Sequence, residues 1–129
     1  MLDASALLAL LRQEPGAQAV VEAMAQKAAI SVVNWAEVLS KMSDLGMDPD
    51  EVVADFRQRG TLGVDLVVLP MGSEVGLEIA RLRPLTRQGG LSLGDRACLC
   101  LARSLGVSAL TTERTWAELR LEVSVQVIR

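Results

Sequence analysis

Four acidic residues, Asp3, Glu37, Asp95 and Glu113, are the side chains here whose types and placement suit chemistry. Histidine is absent, which removes imidazole acid–base catalysis, Ser–His triads and His-containing zinc sites together. The only cysteines, Cys98 and Cys100, sit two apart in a helix-like segment. Their side chains then point to different faces, so they form neither a metal clip nor a natural disulfide. Core thiols of a reducing cytoplasm are the expectation. What remains is carboxylate chemistry. Three or four carboxylates drawn together repel unless a cation sits among them. A hard divalent ion such as Mg2+ takes several oxygen ligands while keeping some waters. An all-oxygen Mg2+ or Mn2+ site is the one metal site this composition offers.

Taken singly, each acid also has a structural reading. Asn34-x-x-Glu37 and Ser92-x-x-Asp95 both have capping-box spacing, and Asp3 can cap the helix that follows it. Acids in a first helical turn complement the helix dipole as well. The joint reading depends on whether the fold brings the four together.

The elements that would position them alternate along the chain, with no repeat, low-complexity tract or linker, over a length that suits one domain spanning residues 1–129. Helices are expected over Ala4–Arg12 and Ala17–Lys27, separated by the turn Glu14–Pro15–Gly16, then a β-branched strand at Ile30–Val33. Helix resumes over Trp35–Asp44. Asp48–Pro49–Asp50–Glu51 reads as a cap, a first-turn proline and an acid at N3 of the next helix. Val64–Leu69, bounded by Gly63 and Pro70, suits a strand buried on both faces. Helices are expected over Ser73–Leu82 and Ser92–Leu105, the second apolar on most sides and central. Short strands at Ser108–Leu110 and Val123–Ile128 flank a short helix containing Thr115–Leu119. The alternation implies an α/β fold with a mostly parallel sheet. Ligands of such sheets bind beyond the carboxyl ends of the strands. Asp3, Glu37 and Glu113 each follow an expected strand, and Asp95 opens a helix that could bring it alongside them.

Composition narrows the partners. Half the residues are apolar, but only one Phe, two Trp and no Tyr are aromatic, which leaves no base-stacking platform for single-stranded nucleic acid. A net charge of −3 argues against a plain nucleic-acid module, though less against an enzyme that gathers carboxylates around a cation. Charges interrupt every apolar run before membrane-spanning length, and nothing resembles a signal peptide, so a soluble cytoplasmic protein is expected. Arg81, Arg83 and Arg87 precede a Gly89–Gly90 hinge and are candidates for phosphate contact, since guanidinium matches phosphate bidentately. The plainer expectation for them is a solvated, mobile basic loop. Arg96 and Arg114 adjoin Asp95 and Glu113 and could pair with them or contact phosphate.

Four blocks in register resemble the PIN-domain ribonucleases, in particular the VapC-type toxins of bacterial toxin–antitoxin pairs. Leu2–Asp3–Ala4–Ser5 looks like the opening block, and Trp35–Ala36–Glu37–Val38 the second. Leu91–Ser92–Leu93–Gly94–Asp95–Arg96–Ala97 is the most specific match, and Leu110–Thr111–Thr112–Glu113 is similar to the fourth. The resemblance implies a three-layer α/β/α PIN-like fold whose mostly parallel sheet has four to five short strands. It further implies a Mg2+- or Mn2+-dependent endoribonuclease with Asp3, Glu37, Asp95 and Glu113 as ligands. Ser5 and Thr111 would orient the carboxylates, or simply make local hydroxyl bonds. A homodimer and a cognate antitoxin protein are the implied partners beside RNA, with no membrane. Two departures stand out: only Met1 and Leu2 precede Asp3 where the family has a full first strand, and the fourth acid is Glu113 rather than Asp. The short strand keeps open a catalytically inactive RNA- or protein-binding module. An aspartyl-phosphate phosphatase needs an Asp where Ser5 stands, and a receiver domain needs a late Lys, whereas Lys occurs only at Lys27 and Lys41.

Overall fold

In a computed structural model, which describes residues 1–129, the sheet is assembled around a single residue. Leu2 forms parallel bridges to Ile30 on one side and Leu110 on the other. Strand β1 (Ala28–Ser31) pairs in parallel with β2 (Leu66–Leu69), and β3 (Ala109–Thr111) with β4 (Val125–Val127). The order across the sheet is β2–β1–Leu2–β3–β4, and every pairing is parallel. Three backbone bonds hold the central position: Leu2 N–H to Ala29 O at 2.8 Å, Asp3 N–H to Leu110 O at 3.0 Å, and Leu110 N–H to Met1 O at 2.7 Å. The abbreviated first strand therefore still places Asp3 firmly between its neighbours.

Six α-helices and one 3-10 helix connect the strands: α1 (Ala4–Leu11), α2 (Ala17–Ala25), α3 (Val32–Asp44), α4 (Pro49–Gln58), α5 (Ser73–Thr86), α6 (Leu93–Leu105) and the 3-10 helix Arg114–Glu118. Strand side chains alternate between faces, so the sheet divides two apolar cores. Leu2, Ile30 and Leu66 pack with Leu7, Val20 and Val38 from α1–α3, and Phe56 of α4 meets Trp35 edge-on at 5.3 Å. Met1 and Ala109 pack with Leu82, Leu99 and Trp116 on the other face. This is the expected three-layer arrangement, with aliphatic residues supplying nearly all of it. Helix α6 is central, as its composition suggests: Ala97 through Ala102 are all buried, Cys98 and Cys100 among them as free thiols. At the turn before α2, Gly16 has φ +101°, and a Cβ there would lie 2.7 Å from Ile128 O, so no other residue fits.

Several boundaries differ from the sequence reading. The strand expected at Ile30–Val33 is Ala28–Ser31, because the Ser31 hydroxyl accepts from Asn34 N–H and starts α3 at Val32. Asn34 is therefore inside the helix, and Glu37 is not the acid of a capping box. The run Val64–Leu69 is not a strand buried on both faces. Apart from a single bridge from Leu66 to Leu62 it pairs with β1, begins at Leu66 and leaves Val67 38% exposed, because it forms the sheet edge. Helix α5 does not end at Leu82 but runs through Pro84 to Thr86. Pro84 and Ala80 face solvent, so water can satisfy the carbonyl that the proline leaves without a donor, while the Thr86 hydroxyl donates to Leu82 O at 2.9 Å. Arg81 and Arg83 thus stand on a helix, with Arg87 as its C-cap, rather than on a mobile loop.

Candidate active site

The carboxyl ends of β1 and β3, with Leu2 between them, open onto a pocket of about 240 Å³. Asp3, Glu37, Asp95 and Glu113 all line it, together with Ser5, and no Lys or Arg does. Each acid arrives on a different element. Asp3 leaves the central sheet position and caps α1 through Ala6 N–H at 2.7 Å. Glu37 stands on the second turn of α3. Asp95 sits in the first turn of α6 in a complete capping box: its Oδ2 accepts from Ser92 N–H at 2.7 Å and its own N–H donates to Ser92 Oγ at 3.1 Å. Glu113 follows β3 and is exposed at the pocket's rim. For Asp3 and Asp95, capping and pocket lining turn out to be compatible, since a carboxylate has lone pairs enough for both.

Asp3 is the most constrained of the four. It is 1% exposed. The Ser5 hydroxyl lies 2.8 Å from both of its oxygens, and Thr111 Oγ1 donates to Oδ2 at 2.6 Å. Thr111 Oγ1 in turn accepts from Glu113 N–H at 3.0 Å, and Ser5 Oγ accepts from Thr112 N–H at 3.0 Å. Ser5 and Thr111 thus tie the first acid to the loop that carries the fourth. Burial pushes the Asp3 carboxyl up to about 6, and the Asp95 charge adds to the rise, while bonds from Thr111, Ala6 and Ser5 oppose it. The difference from the ordinary 3.8 is worth roughly 3 kcal/mol in favour of the protonated form. Glu37 is also raised, first by burial and then by Asp95, with Lys41 pulling the other way. The Asp95 charge is therefore felt at both neighbouring acids, whereas nothing at Asp3 or Glu37 traces to Glu113.

These observations fit a divalent cation. Carboxylates converge with no basic side chain among the pocket's lining, and two of them are raised in part by the charge of a third. The four carboxylates line one pocket, yet no three of them stand close enough together to hold a metal ion as they are placed.

The five arginines separate. Arg81 pairs with Glu78 on its own helix. Arg83 reaches Leu91 O at 3.4 Å, and Arg96 donates to Ser92 O at 3.3 Å and Ile79 O at 3.2 Å. The side chains of Arg87 and Arg114 are exposed and make no hydrogen bond or ion pair. Gly89 and Gly90, just beyond Arg87, line the pocket, as do Glu113 and Thr115 on either side of Arg114.

Sequence reasoning missed three residues here. Lys41, one turn beyond Glu37 on α3, carries the one positive charge that Glu37 senses; its i, i+4 spacing was the available signal. Asn34 is fully buried and donates from Nδ2 to Gly94 O at 3.1 Å. Gly94 is where α6 meets α3: a Cβ there would lie 2.9 Å from Glu37 Oε2 and 3.2 Å from Asn34 Nδ2. No local pattern announces either contact.

A parallel α/β domain with an anionic, oxygen-lined pocket beyond its strand ends defines the class. Residues 1–121 match the PIN domain, and the chain belongs to that family of generally metal-dependent nucleases. Among solved structures it is similar to PAE2754 from Pyrobaculum aerophilum, with a TM-score of 0.57 and 21% identity over 98% of this chain and 81% of that one. That likeness supports the fold alone. No curated protein matches the chain. No helix is long and apolar enough to cross a membrane.

Proposed function

We propose that residues 1–129 form one domain acting as a metal-dependent endoribonuclease, the toxin of a toxin–antitoxin pair. The convergence of Asp3, Glu37, Asp95 and Glu113 in one pocket without a basic lining residue carries this reading. Asp3, Glu37 and Asp95 hold Mg2+ or Mn2+, and Glu113 reaches it from the rim. When bound, the ion supplies activation of water and offsets charge gathering on the scissile phosphate. Ser5 and Thr111 hold the Asp3 carboxylate in one orientation, so its oxygens do not have to reorganise during the reaction. Arg87 and Arg114, free of protein partners beside the pocket, bind the flanking RNA phosphates. Arg81, Arg83 and Arg96 are occupied by protein acceptors and contribute to the charge of that face.

The finer assignment extends to partners. A groove of about 650 Å³ lined by Met24, Met42, Met47 and Phe56 offers an adaptable apolar surface for an antitoxin, and a homodimer in the cytoplasm completes the reading. Incubation of the purified chain with RNA and Mg2+ tests it. Cleavage is expected from the native chain and not from Asp95→Asn, and induced expression should arrest bacterial growth with the same dependence on Asp95. RNA left intact by the native chain with either metal would refute the assignment.

A further inference from the structure

A fully buried asparagine needs partners, because an unpaired amide in an apolar interior costs about 1–3 kcal/mol. Asn34 finds them on two separate segments. Its Oδ1 accepts from Ser31 Oγ at 2.5 Å, and its Nδ2 donates to Gly94 O at 3.1 Å. Ser31 also receives Asn34 N–H at 3.0 Å, so this one residue closes the start of α3 and spans to the first turn of α6. Both segments carry acids: Glu37 lies three residues further along α3, on the same side as Asn34, and Asp95 follows Gly94 directly. The seam is tight, since a Cβ on Gly94 would crowd both Glu37 Oε2 and Asn34 Nδ2.

We infer that Asn34 is a positioning residue of the pocket: its amide, strung between Ser31 and Gly94, sets the separation of Glu37 and Asp95 for one shared divalent cation. The inference rests on the metal-dependent reading above. Glu37 and Asp95 are like-charged side chains lining one pocket, and a tie between their helices opposes their repulsion. The neutral amide is the fitting group. A carboxylate at position 34 would add a further negative charge and lose the donor to Gly94 O, and an aliphatic side chain would fill the space without holding the helices together.

Mn2+ titration of the full chain by calorimetry, paired with thermal melting in chelator, tests the inference. The set is the native chain, Asn34→Leu, Asn34→Ala and Thr86→Val. Thr86 is another fully buried polar residue, bonded within α5 rather than at the pocket. Asn34→Leu and Asn34→Ala are expected to bind Mn2+ about tenfold or more weakly, the usual effect of losing a group that orients ligands. Thr86→Val should lower the melting temperature and leave Mn2+ affinity unchanged. Should Asn34→Leu fail to fold, Asn34→Ala decides: it is small and favours helix, and it removes the amide between Ser31 and Gly94 without touching Glu37. Native Mn2+ affinity in the folded variants overturns the inference and leaves the metal reading standing. A native chain that binds no Mn2+ overturns that reading itself.

Discussion

The two ends of one sheet make opposite uses of the same strands. At the carboxyl end, a pocket of about 240 Å³ gathers four carboxylates and no cationic side chain. At the amino end, a cleft of about 670 Å³ lies among Met1, Ala28, Ser108, Leu110 and Val107, where Glu22 and Lys27 supply one charge of each sign. The larger space is the ordinary one: its walls are mostly apolar, its charges are of both signs, and the Met1 ammonium there is bonded to Ser108 O at 2.8 Å. The smaller one places Asp3 in the interior at an energetic cost and surrounds it with hydroxyl donors. Concentrated, uncompensated charge marks the site here, and volume does not.

That contrast can be broken by mutation. Asp95→Asn preserves an acceptor for Ser92 N–H but removes the charge that reaches Asp3 and Glu37. RNA cleavage should fall roughly 100-fold, with the melting temperature little changed. Glu22→Gln at the amino end should leave cleavage within about twofold, as expected of a surface change away from the chemistry. Comparable losses from the two would erase the distinction between the ends.

Acidity sharpens it next. The folded pKa of Asp3, about 6, lies above the ordinary 3.8, so between these values the folded chain binds the extra proton. Metal-free stability should therefore be higher near pH 4 than near pH 7 by up to roughly 3 kcal/mol from this group, falling as pH rises through 6. Glu37 acts in the same direction. Thermal melting in chelator measures it. Adding Mg2+ or Mn2+ should restore stability at pH 7 and do little at pH 4, where the ligands are protonated. A melting temperature in chelator that climbs between pH 4 and 7 would contradict this account, unless Asp3→Asn shows the same climb and so assigns it to other groups.

Smaller effects follow the hydroxyls. Thr111→Val removes the 2.6 Å donor to Asp3 and the acceptor of Glu113 N–H. Cleavage should drop about tenfold, with a matching loss in Mn2+ affinity. Glu113→Gln should cost least of the four acids, about threefold, because an acid at the exposed rim acts through water rather than by direct ligation. A Glu113→Gln loss as large as that of Asp95→Asn would move the fourth carboxylate into the direct ligand set.

Much of this arrangement was legible before the coordinates. Asp3, Glu37, Asp95 and Glu113 sit at junctions that strand-to-helix alternation already marks, and parallel sheets open their sites at that edge. The Ser92–Asp95 capping box was visible as spacing and is present. The sequence pattern starts α3 three residues late because it points to Asn34 as the cap, whereas Ser31, one turn earlier, takes that role in the fold. Helix α5 was cut short because proline is a helix breaker in isolation; only the solvent-facing side of that helix makes Pro84 tolerable. The arginines were grouped by their spacing in the chain, and packing divided them into occupied and free.

By itself, the sequence determined the alternation of elements, the aliphatic cores and the absence of imidazole chemistry, because these follow from residue type and local periodicity. The tertiary structure alone decided which contacts cross between elements far apart in the chain. Leu2 holds the centre of the sheet because it finds Ile30 and Leu110 on either side. Asp3 becomes an elevated carboxyl because the finished fold buries it, while Thr111, more than a hundred residues away, reaches it and opposes that rise. Gly94 matters because α3 passes against it. Propensity and capping act within a few residues, whereas burial and charge repulsion are set by whatever the completed fold brings together.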